Sequence, residues 1–97
     1  MEERLFDLRF DFEEQEVLVP ILDSKIASCI NKHDGNLADF FKCIKKKVYS
    51  DEIYVFHISE LQEICSIALE FISKSKSEYD NDLCLRVINR CNKYIIW

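Results

Sequence analysis

The rhythm of the chain changes once, at Phe12, and that change decides what its opening can become. In Leu5-Phe6-Asp7-Leu8-Arg9-Phe10-Asp11-Phe12, apolar side chains fall at 6, 8, 10 and 12 and charges at 7, 9 and 11, the two-residue period of a half-buried strand. After Glu13-Glu14-Gln15-Glu16, the residues Val17, Leu18, Ile21, Leu22, Ile26, Cys29 and Ile30 recur at helical spacing. Asp11 followed by Glu14 fits a capping pattern, with acids in the first turn where the helix dipole favours them. The spacing predicts a first helix from Phe12 or Glu13 to Lys32. Pro20 lacks the N–H that would bond back to Glu16, which predicts a kink or break near Val19. In His33-Asp34-Gly35-Asn36, Gly35 suits the left-handed residue after a helix and Asn36 the cap of the next.

The remainder is also helical in pattern. Leu37, Phe40, Phe41, Ile44 and Val48 form a narrow stripe on a second helix of residues 37–48, whose outer side carries Lys42, Lys45 and Lys46 with Lys47 beside them. Those cations oppose the dipole at a helix C-terminus. Ile53-Tyr54-Val55-Phe56-His57-Ile58 reads as a second extended stretch, and Ser59 with Gln62 as the capping box of a third helix, residues 60–75. Its apolar residues lie nearly all round, which predicts the central helix of the bundle. A fourth helix starts at Ser77 or Asp80 and ends at Ile95, with Cys84, Val87, Ile88, Cys91 and Ile95 inward and Arg86, Arg90 and Lys93 outward. Trp97 is expected to fold back as a plug over the apolar end.

Placing Phe10 on Phe56 aligns Phe12 with Ile58, Glu14 with Glu60, Glu16 with Gln62, Leu18 with Ile64 and Ile21 with Ile67. Both halves then read as an aromatic extended stretch, an acidic first turn and a long helix. If the echo is structural, residues 5–12 and 52–58 lie side by side as a short two-stranded ribbon. One Gly and one Pro in 97 residues are too few for the turns of an all-β fold. The fold class is therefore mainly α: a single domain of residues 1–97, a bundle of four helices with the first kinked near Pro20.

Several function classes lack their chemistry. No stretch reaches the length of a membrane span, and the acidic Met1-Glu2-Glu3-Arg4 is unlike a signal peptide, so a cytoplasmic location and no membrane partner are expected. Five cysteines without a CxxC pair read as buried free thiols. Cys29 and His33 are too few for a zinc site, a single Gly provides no phosphate loop, and His57 has no identifiable nucleophile with an orienting acid around it. No enzyme, metal or cofactor is expected. A helix-turn-helix reading of the last two helices, with Arg86, Arg90 and Lys93 on DNA, conflicts with the net charge of −5. That charge is concentrated, since residues 1–16 hold seven acids against two bases while residues 17–97 are balanced at eleven each.

An acidic helical domain without catalytic equipment is expected to work by binding another protein. Phe10-Asp11-Phe12-Glu13-Glu14-Gln15-Glu16 leading into Leu18 and Leu22, echoed by Phe56-His57-Ile58-Ser59-Glu60-Leu61-Gln62, resembles the openings of small immunity proteins of bacterial polymorphic and contact-dependent toxin systems. The resemblance covers a quarter of the chain. It implies an antitoxin-like inhibitor that neutralises a cognate, basic, nuclease-type toxin by covering or flanking its active site, as a monomer or weak dimer. On that reading Asp7, Asp11, Glu13, Glu14 and Glu16 make contact, with Asp51 and Glu52 as neighbours and Phe6, Tyr49 and Tyr54 as aromatic anchors. The alternative is a helical adaptor or structural protein, bacterial or viral, that holds a partner's helix in an apolar groove.

Overall fold

A computed structural model describes residues 5–50 and 52–95, so Asp51 and the expected Trp97 plug lie outside the described residues. The order of elements is β1 (Leu5–Leu8), α1 (Phe12–Asn31), α2 (Gly35–Val48), β2 (Tyr54–His57), α3 (Ile58–Lys74) and α4 (Glu78–Ile95). The two strands pair antiparallel, Leu5 with His57, Phe6 with Phe56, Asp7 with Val55 and Leu8 with Tyr54. The ribbon of the sequence reading is therefore present, though shorter, because Phe10 and Phe12 leave it. Phe10 turns into the core and Phe12, the first helical residue, is exposed.

The register carries a symmetry. Leu8 and Tyr54 face each other, and they are also the residues that superpose when Phe10 is laid on Phe56. An antiparallel pair centred on equivalent residues is what a pseudo-two-fold axis through the ribbon requires. The halves β1-α1-α2 and β2-α3-α4 follow the same path, with α1 at 20 residues and α3 at 17. Subtracting that difference in length makes Lys47 of α2 the counterpart of Arg90 of α4. The buried residues agree: Phe41, Ile44 and Val48 on α2 match Cys84, Val87 and Cys91 on α4.

At the centre of this arrangement stand two buried acids. Glu14 has no exposed surface and Glu60 almost none. Each is the third residue of its helix and accepts from the backbone N–H just before it, Asp11 N to Glu14 Oε1 and His57 N to Glu60 Oε1, both at 2.8 Å. Each also takes a cation from the second helix of the other half. Arg90 Nη1 donates to Glu14 Oε1, and Lys47 Nζ lies 2.7 Å from Glu60 Oε1. The Arg90 guanidinium sits 5.6 Å from the Phe10 ring centroid and the Lys47 ammonium 5.8 Å from that of Phe56. The two rings meet edge to face at 5.7 Å. Arg90 Nη2 also donates to the Arg9 carbonyl at 2.6 Å, tying α4 to the segment between β1 and α1.

Helix limits differ from the sequence reading for local reasons. His33 takes the left-handed conformation at φ 57° instead of Gly35, and the cap of α2 is Asp34, which accepts from Leu37 N at 3.2 Å, instead of Asn36. His57 and Glu60 start α3 in place of Ser59 and Gln62, because Glu60 is needed inside. α1 runs unbroken through Pro20. α3 is apolar nearly all round but not buried all round: Leu69 is exposed, and its buried side faces α4 and α1. Neither Arg90 nor Lys47 points outward, because each neutralises a buried carboxylate. Gln15, also buried, donates to the carbonyls of Phe10 at 3.0 Å and Ser50 at 2.9 Å, holding the end of the first half against the start of the second. All five cysteines are free; Cys43 is exposed and the others are buried. Burial pushes the Cys84 thiol up to about 11.

Removing one partner of a buried ion pair leaves a charge without compensation. Arg90→Met is expected to lower unfolding free energy by about 3 kcal/mol or more in urea titrations, and adding Glu14→Gln to it recovers part of the loss.

Candidate functional site

The acids singled out by the sequence occupy three different environments. Asp7 is exposed on the outer face of β1, opposite Val55. Asp11 and Glu13 are exposed at the start of α1 but share a cation: Arg86 Nη2 lies 3.9 Å from Asp11 Oδ2 and 3.5 Å from Glu13 Oε2, and Arg86 Nε lies 3.6 Å from Glu14 Oε2. Glu14, expected to meet a partner, is withdrawn from the surface altogether, since it is consumed in holding α4 to the start of α1. The concentrated negative charge is thus partly answered from α4 by Arg86 and Arg90. Of the others, Glu52 is exposed, with its N–H on Ser50 Oγ at 3.0 Å, and Tyr54 is half-buried against the core. Phe6 is likewise half-buried and stacks on Tyr94 at 4.9 Å, while Tyr49 is exposed.

Glu16 stands apart. It is exposed, makes no ion pair among the described residues, and lines two adjoining clefts. The smaller, about 350 Å³, lies between the first turns of α1 and α4, where Glu13, Glu16 and Asp80 surround Val17, Leu83 and the exposed ring of Tyr79. The larger, about 510 Å³, runs on between α1 and α3 over Val17, Pro20, Ile21, Ile67 and Phe71. Glu16, Val17 and Asp80 border both, so the two form one groove with an apolar floor and an acidic end. Its far end is closed by Lys25 and Lys74, bridged to Glu70 at 2.7 and 3.2 Å. The hydrogen bond from Lys25, then that from Lys74, holds the Glu70 carboxyl below the usual range.

Sequence reasoning found Glu13 and Glu16 but missed Asp80, Tyr79, Pro20, Ile67 and Phe71 as parts of one surface. The available signal was Tyr79 itself, an aromatic residue amid Glu78, Asp80 and Asp82 and off the inward stripe of α4. Among the described residues no three His, Cys, Asp or Glu side chains are grouped to hold a metal ion, and no helix is long and apolar enough to cross a membrane. The arrangement offers recognition surfaces: a groove able to take apolar side chains, with carboxylates placed to meet cations.

No protein-family model, curated protein or solved structure matches the chain.

The Glu70 assignment is open to direct measurement. In a carbon-detected NMR titration its carboxyl is expected to lose its proton at a lower pH than an ordinary glutamate, and in Lys25→Ala the midpoint moves back up. A Glu70 midpoint unchanged by Lys25→Ala refutes the pairing.

Proposed function

We propose that this chain is a protein-binding inhibitor of the immunity type, neutralising a cognate basic toxin through the acidic surface at the start of α1. The observation that carries the reading is the fixity of that surface. Asp11, Glu13 and Glu16 stand exposed on a helix start that the buried Glu14 ties to α4 through Arg90, which also holds the Arg9 carbonyl between β1 and α1, so the acids are presented on packed structure. A carboxylate array held in place loses little side-chain and backbone entropy on binding and steers a cationic partner toward it. Asp7 and Glu52 extend the acidic surface. A second reading, an adaptor that holds a partner's helix, draws support from the apolar groove that begins at Glu16.

An immunity gene normally lies directly beside its toxin gene, which supplies the test. The adjacent gene product is expected to arrest growth when expressed alone and to be silenced by this chain. Changing Asp7, Glu13 and Glu16 together to lysine is expected to abolish protection while circular dichroism stays native. Binding between the purified proteins is expected to weaken by about tenfold or more from low to high salt. Protection that survives the triple change and is indifferent to salt overturns the electrostatic mechanism. If no neighbouring product is toxic, the immunity reading fails.

A further inference from the structure

We infer that the groove along α1, from Glu13 to Ser24, docks an amphipathic helix of a partner protein whose apolar stripe is flanked by lysine or arginine. The inference rests on the protein-binding reading and names the structural form of the partner.

The lining of α1 has helical periodicity: Glu13, then Glu16 and Val17, then Pro20 and Ile21, then Ser24 and Lys25. These residues mark successive turns of one face, a length of about 16 Å, which fits about three turns of a helix lying alongside. It lies beside the face that enters the core through Glu14, Leu18, Leu22 and Cys29, and meets that face at the buried Val17 and the half-buried Ile21. Along this side Glu16, Pro20 and Ser24 are exposed, and the groove is bordered by Ile67 and Phe71 of α3 and Leu83 of α4.

Charge selects the occupant. Glu16 and Asp80, the carboxylates at the junction of the two clefts, have no cation of their own among the described residues, whereas Glu70 at the far end has two. A cation seated beside the junction therefore gains two unneutralised carboxylates. An acidic or purely apolar helix would leave Glu16 and Asp80 desolvated without compensation.

The test uses synthetic helical peptides as probes: leucines at i, i+3, i+4 and i+7 with lysine elsewhere, a scrambled peptide of the same composition, and a version with glutamate for lysine. In fluorescence anisotropy the leucine-lysine helix is expected to bind at least about tenfold tighter than the scramble, and the glutamate version not at all. Ser24→Trp, which fills the groove from an exposed position, and Glu16→Lys are each expected to weaken binding about fivefold or more, with Asp39→Lys on α2 within about twofold as the charge control. Amide NMR shifts of the native protein are expected to move at Glu16, Ile21, Ile67, Phe71 and Asp80, a readout that needs no variant to fold.

Equal binding of the scramble, equal loss with Asp39→Lys, or shifts centred away from this groove overturns the inference. Growth protection that persists in Ser24→Trp while the peptide no longer binds places the toxin elsewhere and refutes this docking site alone. Peptide binding without any toxin to neutralise keeps the groove and removes the immunity reading.

Discussion

The rest of the fold hangs on a glutamate that has no contact with water. Glu14 lies in the first turn of α1, where an acid is ordinarily solvated, and its carboxylate is instead shared between the Asp11 N–H and the Arg90 guanidinium. Burial of a lone carboxylate is prohibitive, so α4 must bring Arg90 to the start of α1 whenever that start is covered. The same guanidinium then reaches the Arg9 carbonyl and lies over Phe10. Strand end, helix start and final helix are positioned by one planar group whose donors spread in fixed directions. Glu60 repeats the arrangement with the more compact ammonium of Lys47, which makes a 2.7 Å contact with one oxygen while Cys43 Sγ lies 3.8 Å from the other.

This internal use of charge changes what the surface offers. An acidic opening segment read from composition appears as a single cloud of negative charge. In three dimensions Glu14 is spent on the fold and Arg86 spans Asp11 and Glu13. Glu16 has no ion pair among the described residues and stands at the mouth of a groove beside Asp80. The recognition surface is therefore smaller than the charge pattern implies, displaced toward α4, and joined to apolar area, the combination that gives protein interfaces both affinity and choice of partner.

Periodicity made the architecture legible. The change of rhythm at Phe12 located the entry to α1, the paired aromatic stretches anticipated the ribbon, and the four apolar stripes gave four helices. What escaped was the meaning of individual charges. Arg90 and Lys47 fall beside outward-facing residues on their own helices, and no local pattern distinguishes a solvated cation from one that reaches into the core of the other half. The Phe-x-x-x-Glu echo at Phe10 and Phe56 held that information, since two acids at equivalent places after equivalent aromatic residues signal a shared structural duty. The turn at His33 is not legible locally, because glycine is the usual left-handed residue, whereas here Gly35 begins a helix and Asp34 caps it. The groove was hidden for another reason: it is assembled from α1, α3 and α4, whose shared surface exists only after packing.

The reciprocal exchange of cations also bears on how the molecule can come apart. Each half keeps its acid and lends its cation, so detaching α4 strands Glu14 in the first half, and detaching α2 strands Glu60 in the second. Subglobal opening, by which many domains release one segment while the remainder persists, is thereby penalised in both halves of the chain. A duplicated architecture would ordinarily invite two independent foldons. Crossing the charges between the copies turns them into a single cooperative unit.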